Sequence, residues 1–211
     1  MKANYFTGSG GFALRDTDLP SPGPGEVVIK NMACGVCGTD VHIANGEPGS
    51  AEVTPPVVLG HEYAGEVTAI GEGVTQLHIG DKVTVDPNIY CGCCEYCRNG
   101  KKQLCPSMQA VGVTRNGGFA QYSLAPAAQA FLLAPHVSYE AGAMAEPVAC
   151  CLHGIDLAGI QPGQRVCVVG GGAIGLIMLQ LAKLSGAAAL MLSEPDPARR
   201  EAALALGADL A

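Results

Sequence analysis

The sequence predicts a mixed fold class, in which a β-rich domain is followed by the beginning of a parallel α/β domain. Through residues 1–153, short apolar stretches such as Glu26–Lys30 and Tyr63–Ile70 alternate with turns rich in proline and glycine. This spacing is typical of a partly open barrel or a sandwich. Through residues 154–211, the order becomes strand, glycine-rich turn, helix, strand and helix, which is typical of a parallel α/β unit.

The elements of the second domain follow from its apolar pattern. The continuous apolar run Arg165–Val169 predicts a buried strand, and Ala173–Ser185 has helical periodicity. A second buried strand is predicted over Ala187–Leu192 and a second helix over Arg199–Leu206. Two parallel strands do not make a stable doubly wound sheet. The chain is therefore expected to be either a fragment or dependent on something outside it.

Composition excludes several classes of protein. Hydrophobic residues make up 48% and charged residues 15%, so the chain is not intrinsically disordered. Its 12 Lys and Arg against 19 Asp and Glu give a net charge of −7, which disfavours a nucleic-acid partner. The uncharged apolar run Val166–Ala182 is short for a membrane span and contains several glycines. With no export signal visible, we expect a cytoplasmic protein without a membrane partner.

A cluster of cysteines gives the strongest motif. In a reducing compartment the 10 cysteines are expected to bind metal rather than to form disulfides. Four soft thiolates close together suit tetrahedral zinc in a closed, structural site. The alternatives are free core cysteines, a redox dithiol or a zinc ribbon bound to nucleic acid. Cys93 is a fifth cysteine within the motif, whose proposed ligands are Cys91, Cys94, Cys97 and Cys105.

A second candidate metal site is dispersed along the chain. A catalytic zinc takes a mixed set of ligands and keeps one position open, and Cys37, His61, Glu62 and Glu146 supply the required types. Spacing alone also allows His61 to be a core or turn histidine and Glu62 to be a solvated charge. The pair Cys34-x2-Cys37 suggests a redox motif, but no βαβ pattern surrounds it.

A glycine motif, Gly170-x-Gly172-x2-Gly175, directly follows the strand Arg165–Val169 and opens a helix. In this setting the glycines allow a tight turn and close approach to a pyrophosphate at the helix N-terminus. Glu194, at the end of the next strand, would bind the ribose hydroxyls and disfavour a 2′-phosphate. The alternative is close helix–strand packing with no ligand.

The same reasoning gives NAD preference over NADP as the expectation. Arg199 and Arg200 follow Glu194 closely, and one of them could accommodate a 2′-phosphate. Both residues therefore weaken the preference.

These motifs resemble the zinc-containing medium-chain alcohol dehydrogenases. The motif Gly60-His61-Glu62-x2-Gly65-x5-Gly71-x2-Val74 matches the signature of that family, and the four-cysteine segment is similar to its structural zinc loop. The segment from Cys34 to His42 resembles its first catalytic segment. Glu146-Pro147, residues 85–90 and residues 110–118 resemble the polyol (sorbitol) and threonine dehydrogenase branch. The resemblance implies a GroES-like β-barrel catalytic domain and the first part of a Rossmann-type doubly wound sheet, apparently truncated at the C-terminus.

The resemblance also implies roles for individual residues. Cys37, His61 and Glu62 would bind the catalytic zinc, with Glu146 as an alternating or water-mediated fourth partner. Asp40 would hydrogen-bond the imidazole of His61. The two catalytic residues of the proton path would be Thr39, which accepts the proton of the substrate hydroxyl, and His42, which passes it to solvent. Gly170, Gly172, Gly175, Glu194 and Arg199 would bind the cofactor.

The expected function is oxidation of a secondary alcohol to a ketone, with hydride transfer to NAD. The substrate would be a small molecule such as a polyol, a sugar alcohol or a threonine-like hydroxy-amino acid. Zinc in both candidate sites is expected, as is homo-oligomerisation of the full-length enzyme. The alternatives are a catalytically inactive zinc-binding fragment and a zinc-ribbon nucleic-acid binder, which the net charge of −7 disfavours.

Overall fold

The first unit, Met1–Glu146, is built mainly from antiparallel strands in the computed structural model, which describes residues 1–8, 11–47 and 52–211. Three short helices, α1–α3, lie between or after these strands. The strands are β1 (Lys2–Gly8), β2 (Gly11–Asp16), β3 (Glu26–Cys34), β4 (Val57–Val58), β5 (Tyr63–Ile70), β6 (Lys82–Val85), β7 (Asn88–Ile89), β8 (Gln109–Ala110), β9 (Tyr122–Pro126) and β10 (Ala130–Leu132), and the helices are α1 (Gly38–Ala44), α2 (Glu95–Arg98) and α3 (Tyr139–Ala143).

A five-stranded sheet in the order β10-β6-β5-β3-β9 forms the framework of this unit. All of its neighbouring strands are antiparallel. The core side chains alternate along the strands, as with Val27 and Ile29 of β3 and Val83 and Val85 of β6, because successive side chains of a strand point to opposite faces of the sheet. Strand β3 is longer than the predicted run Glu26–Lys30, because its pairing with β5 continues as far as Cys34 opposite Tyr63. The core comprises Val27, Ile29, Tyr63, Val67, Leu77, Val83, Val85, Val111, Ala125, Ala127 and Ala130.

A second, smaller core fixes helix α1. Ile43 of α1 is buried with Phe6, Val57, Leu59 and Val113. Phe6 and Val57 belong to a three-stranded sheet in the order β2-β1-β4. Burial of one branched aliphatic side chain stabilises a fold by about 2 kcal/mol. The contact therefore anchors α1 beside the segment that leads from β4 to β5.

The second unit, Pro147–Ala211, contains the parallel pair of strands. Helix α4 (Ala145–Ala158) begins two residues before the start of this unit. It is followed by β11 (Arg165–Val169), α5 (Ala173–Leu184), β12 (Ala189–Ser193) and α6 (Pro197–Ala205). The core of this unit comprises Ile155, Leu179, Ala182, Leu190, Leu192, Ala203 and Ala208.

The predicted fold class is confirmed in both parts. Short antiparallel strands precede a strand–helix–strand–helix unit whose two strands are parallel, with Arg165 opposite Ala189 and Val169 opposite Ser193. Among the described residues, no helix combines the length and apolar character needed to cross a lipid bilayer.

Candidate metal centres and cofactor loop

Three side chains from two separate segments meet in the first unit. Cys37 is the residue at the N-terminal cap of α1, and His61 and Glu62 directly precede β5. One ligand atom from each of the three lies within 4.8 Å of the others. A thiolate, an imidazole and a carboxylate at these separations could bind one zinc ion with a position left open. We call these three residues the mixed cluster.

Asp40 fixes the backbone beside two members of the mixed cluster. Its carboxylate is 3% exposed and accepts hydrogen bonds from the N–H of Cys37 at 2.9 Å and from the N–H of Gly60 at 3.3 Å. The predicted hydrogen bond to the imidazole of His61 is wrong, because Nδ1 of His61 lies 3.8 Å from Asp40 Oδ1. The carboxylate instead accepts hydrogen bonds from the two backbone amides. It therefore links the segment that contains Cys37 to the segment that leads into His61.

The electrostatics of the mixed cluster favour a cation. Burial by itself lowers the pKa of His61, but the hydrogen bond with Cys37 and the negative groups Asp40, Cys37 and Glu146 raise it overall. Burial raises the pKa of Glu62, assisted by the charges of Glu146 and Asp40. Nδ1 of His61 is buried without a hydrogen-bond partner. Crowded acidic groups beside an unsatisfied buried nitrogen fit a site that takes a positive ion.

Cys34 lies near the same acidic groups, three residues before Cys37, but it is not a member of the mixed cluster. Burial, with the charges of Asp40 and Glu62, raises the pKa of Cys34 to about 12. Its thiol therefore stays protonated at neutral pH, which disfavours redox reactivity, and Cys34 is not among the ligand atoms that lie within 4.8 Å of one another. Cys34 and Cys37 are both free thiols in the structure.

Two glycines allow the close approach of the segments that carry these ligands. A Cβ atom at Gly35 would lie 2.5 Å from Oε2 of Glu62, so any side chain there would displace the carboxylate. Gly60, directly before His61, has φ of 91°, and a Cβ there would meet the ring of Phe119 at 2.6 Å. Glycine is the residue that accepts both constraints.

A cavity of about 500 Å³ opens beside the mixed cluster. His61, Thr39 and Glu146 all line it, so the cavity brings together two predicted zinc partners and one predicted catalytic residue. His42, the other predicted catalytic residue, is outside the lining set. It lies on α1 with an exposed ring, and its Nδ1 is hydrogen-bonded to the carboxylate of Glu47.

The four cysteines of the sequence motif form a second cluster. Their sulfur atoms lie within 4.8 Å of one another, held by helix α2 and the turns on either side of it. We call residues 91–105 the cysteine lobe. The backbone N–H groups of Cys93 and Cys94 lower the pKa of the Cys91 thiol to about 6, which favours the thiolate form that binds zinc.

Part of the cavity wall comes from residues to which sequence reasoning gave no role at a substrate site. Gln103 and Cys105 of the cysteine lobe line it, as do Met108, Asn88 and Thr114. Cys105 was selected only as a zinc ligand, and Asn88 and Thr114 lie in segments noted only for their resemblance to one branch of the family. Only the folding of the lobe within the first unit reveals that they face the candidate substrate site.

The glycine motif of the second unit forms a tight turn between β11 and α5. Gly170 has φ of 100°, and a Cβ on Gly175 would lie 1.9 Å from the carbonyl oxygen of Gly170. Gly172 is the N-terminal cap residue of α5. The turn thus combines close helix–strand packing with a helix N-terminus, features of the turn that binds a pyrophosphate in dinucleotide-binding folds.

Glu194 is tied to this turn. Its carboxylate accepts a hydrogen bond from Gly171 N–H at 2.6 Å and one from Asp196 N–H at 2.9 Å. These amides, first Asp196 and then Gly171, lower its pKa. Nη1 of Arg199 lies 3.9 Å from the carboxylate, whereas the guanidinium of Arg200 donates to the carbonyl oxygens of Glu194 and Pro195.

Comparison with known proteins identifies relatives along most of the chain. Residues 23–135 match the model of the alcohol dehydrogenase GroES-like domain. The chain is 40% identical over 200 residues to L-threonine 3-dehydrogenase of Pyrococcus horikoshii, covering 94% of this chain and 57% of that protein. It is 37% identical over 210 residues to sorbitol dehydrogenase of Bacillus subtilis, covering 99% and 60%.

Solved structures show the same likeness. A zinc-binding dehydrogenase of Sinorhizobium meliloti, bound to NADP, superposes with a TM-score of 0.95 at 43% sequence identity. The match covers 99% of this chain and 60% of that one. The chain thus spans less than two thirds of the length of these relatives.

Proposed function

The chain belongs to the family defined by the alcohol dehydrogenase GroES-like domain, and from that premise we propose that it is part of a zinc-dependent oxidoreductase. The reaction is removal of hydride from a secondary alcohol to give a ketone, with NAD as acceptor. The observation that carries the proposal is the mixed cluster of Cys37, His61 and Glu62 at the wall of a cavity of about 500 Å³. The relatives from Pyrococcus horikoshii and Bacillus subtilis are an L-threonine 3-dehydrogenase and a sorbitol dehydrogenase.

Cys37, His61 and Glu62 would hold the catalytic zinc, with Glu146 beside them in the cavity wall. The cysteine lobe would hold the structural zinc. When bound, the catalytic zinc supplies Lewis-acid polarisation of the alcohol oxygen, and NAD supplies the acceptor for hydride. The donor sets fit these roles. Four thiolates complete the coordination of a structural zinc, whereas the mixed cluster leaves one coordination position of the catalytic zinc open for a substrate.

Thr39 and His42 would carry the proton out of the site. Thr39 lines the cavity, where its hydroxyl would accept the proton of the substrate alcohol. His42 follows on the same helix with an exposed ring, and Glu47 engages its Nδ1. In our proposal, Nε2 of His42 takes the proton and releases it to solvent, while Glu47 holds the ring orientation.

The substrate class follows from the relatives and from the cavity wall. We propose a polyol, a sugar alcohol or a threonine-like hydroxy-amino acid. The polar groups of Asn88, Gln103 and Thr114 in the wall support a substrate with additional hydroxyl groups. A cytoplasmic location and homo-oligomerisation stay predictions.

NAD is the proposed cofactor because the Glu194 carboxylate is held against Gly171. A carboxylate there binds ribose hydroxyls and repels a 2′-phosphate. Arg199, with a side chain that is 57% exposed, supports some use of NADP, and a relative has been solved with NADP. Measuring kcat/KM with both cofactors tests the preference, and a higher value with NADP would contradict it.

The deciding experiment compares Cys37→Ser with the unaltered chain. Zinc per chain is measured by elemental mass spectrometry, and alcohol oxidation is followed by nicotinamide absorbance over a panel that includes sorbitol and L-threonine. We expect Cys37→Ser to lose turnover and the zinc of the mixed cluster while the cysteine lobe retains its zinc. The matched control is Cys34→Ser, which removes the neighbouring protonated thiol and should leave zinc in both sites.

Retained turnover in a Cys37→Ser protein of verified metal content would contradict the assignment. If the unaltered 211-residue chain binds zinc in both clusters but oxidises no alcohol on the panel, the alternative of a zinc-binding, inactive fragment is supported instead. Absence of zinc from the mixed cluster in the unaltered chain would refute the metal centre itself.

A further inference from the structure

A fifth thiol lies within the cysteine lobe without belonging to its ligand set. The side chain of Cys93 is exposed, and its Sγ lies 3.7 Å from Sγ of Cys91. The group of sulfur atoms that lie within 4.8 Å of one another contains Cys91 but excludes Cys93. Four thiolates complete a tetrahedral zinc site. The thiol of Cys93 is therefore left for other chemistry.

We propose that Cys93 is a peroxide-sensitive thiol that forms a disulfide with Cys91 and so removes one of the four ligands of the cysteine lobe. Both residues are exposed, so a small oxidant reaches them. The separation of their sulfur atoms, 3.7 Å, is shorter than the 3.9 Å between Cys91 and the buried Cys97. Cys93 is thus the nearer and more accessible partner for Cys91.

The residue between them allows the closure. Gly92 has φ of 73°, and no atom lies within 4 Å of the position where its Cβ would be. The short segment from Cys91 to Cys93 therefore has space and backbone freedom to bring the two sulfur atoms into bonding distance. In the cysteine lobe no other pair of neighbouring cysteines is separated by a single residue.

The chemistry balances with hydrogen peroxide as the oxidant. The thiol of Cys93 gives up its proton and attacks one peroxide oxygen, the O–O bond breaks, and the hydroxide that leaves takes up a proton, so that the products are a sulfenic acid and water. The thiolate of Cys91 then attacks the sulfur of Cys93, an S–S bond forms, the S–O bond breaks, and hydroxide leaves as water. Two thiols lose two electrons in total, and one peroxide is reduced to two molecules of water.

Oxidation of Cys91 would also affect the wall of the cavity. The N–H of Cys91 donates a hydrogen bond to Sγ of Cys105 at 3.4 Å, and Cys105 and Gln103 line the cavity wall. Loss of Cys91 as a ligand would loosen the wall on that side. The inference concerns the cysteine lobe alone and goes beyond the proposed dehydrogenase activity.

The test treats the zinc-loaded 211-residue chain with hydrogen peroxide. Released zinc is followed with a chromogenic chelator, and disulfides are mapped by mass spectrometry of non-reduced peptides. We expect a Cys91–Cys93 disulfide to appear in parallel with loss of the zinc of the cysteine lobe. A thiol reductant with added zinc should restore the original content.

The matched variants are Cys93→Ser and Cys167→Ser, because Cys167 is also exposed but lies in the second unit. Before treatment, both should contain as much zinc as the unaltered chain. We expect zinc release from Cys93→Ser to be slower on the order of tenfold, and release from Cys167→Ser to be unchanged. Equal release rates for Cys93→Ser and the unaltered chain, or oxidation that leaves Cys93 reduced, would overturn the proposal. These readouts do not depend on alcohol oxidation.

Discussion

The thiols of the cysteine lobe come from one segment, residues 91–105, whereas the mixed cluster joins Cys37 at the start of α1 to His61 and Glu62 before β5. The lobe needs only its own turns and the four-residue helix α2 to gather its ligands. The mixed cluster depends on the pairing of β3 with β5 and on burial of Ile43 under α1. The ligands of a local metal site can therefore be brought together by one short segment, whereas the ligands of a dispersed site meet only when the sheet has folded.

The largest expected effect comes from Cys97→Ser, which removes a buried thiol from the cysteine lobe. Structural zinc sites contribute metal-binding free energy on the order of 10 kcal/mol, and loss of one ligand forfeits much of it. We expect loss of the zinc of the lobe and a lower thermal unfolding midpoint, measured by elemental analysis and calorimetry. Cys93→Ser is the control and should retain the zinc. Zinc in both clusters of Cys97→Ser would show that the lobe closes without four thiols.

The next largest effect is expected from Gly65→Ala in β5. Its Cβ would lie 2.1 Å from the carbonyl oxygen of Lys30 on β3, so the two strands must separate. We expect a loss of about 4 kcal/mol in the free energy of unfolding and loss of zinc from the mixed cluster. The cysteine lobe should keep its zinc, because its ligands do not depend on this strand pair.

The control for that substitution is Gly92→Ala within the lobe. Gly92 has positive φ but no atom within 4 Å of its Cβ position, so its backbone strain of about 1 kcal/mol should leave zinc in both clusters. Chemical denaturation gives the free energy of unfolding of Gly65→Ala and Gly92→Ala, and zinc analysis gives the metal content of each variant. If Gly65→Ala removed zinc from the lobe first, the separation into a local and a dispersed site would be wrong.

A smaller and more specific effect is expected from Gly35→Ala. The new Cβ would come within 2.5 Å of Oε2 of Glu62, which moves one ligand without breaking the sheet. We expect zinc affinity at the mixed cluster to fall by about 10- to 100-fold, the size of effect seen when a supporting residue is altered. Competition with a chelator of known affinity measures it.

Gly38→Ala is the matched control for Gly35→Ala, since no atom lies within 4 Å of its Cβ position. It lies in the first turn of α1, where alanine favours the helix. The zinc affinity of the mixed cluster should therefore stay unchanged in Gly38→Ala. An equal loss of affinity in both variants would indicate a general disturbance of α1 rather than displacement of Glu62.

The predicted residues differ in how far the sequence alone could place them. Spacing was enough to group the four thiols of the lobe, because every ligand lies within one short segment. The order of strand, glycine turn and helix likewise located Gly170, Gly172 and Gly175 at a helix N-terminus. For His61 and Glu62, spacing left structural alternatives open, and resemblance to a family supplied the grouping. The role of Asp40 was misjudged in detail, since its carboxylate binds the backbone rather than the imidazole.

The sequence by itself determined the fold class, the four-thiol group and the glycine turn, because each is encoded by local periodicity or by residues close in the chain. Only the tertiary structure decided which face of the cysteine lobe meets the cavity, with Gln103 and Cys105 in its wall. It also separated the two thiols of the Cys34-x2-Cys37 motif, since burial and charge keep Cys34 protonated. Both outcomes depend on long-range packing, which sets the distances and the solvent exposure of groups that are remote in sequence.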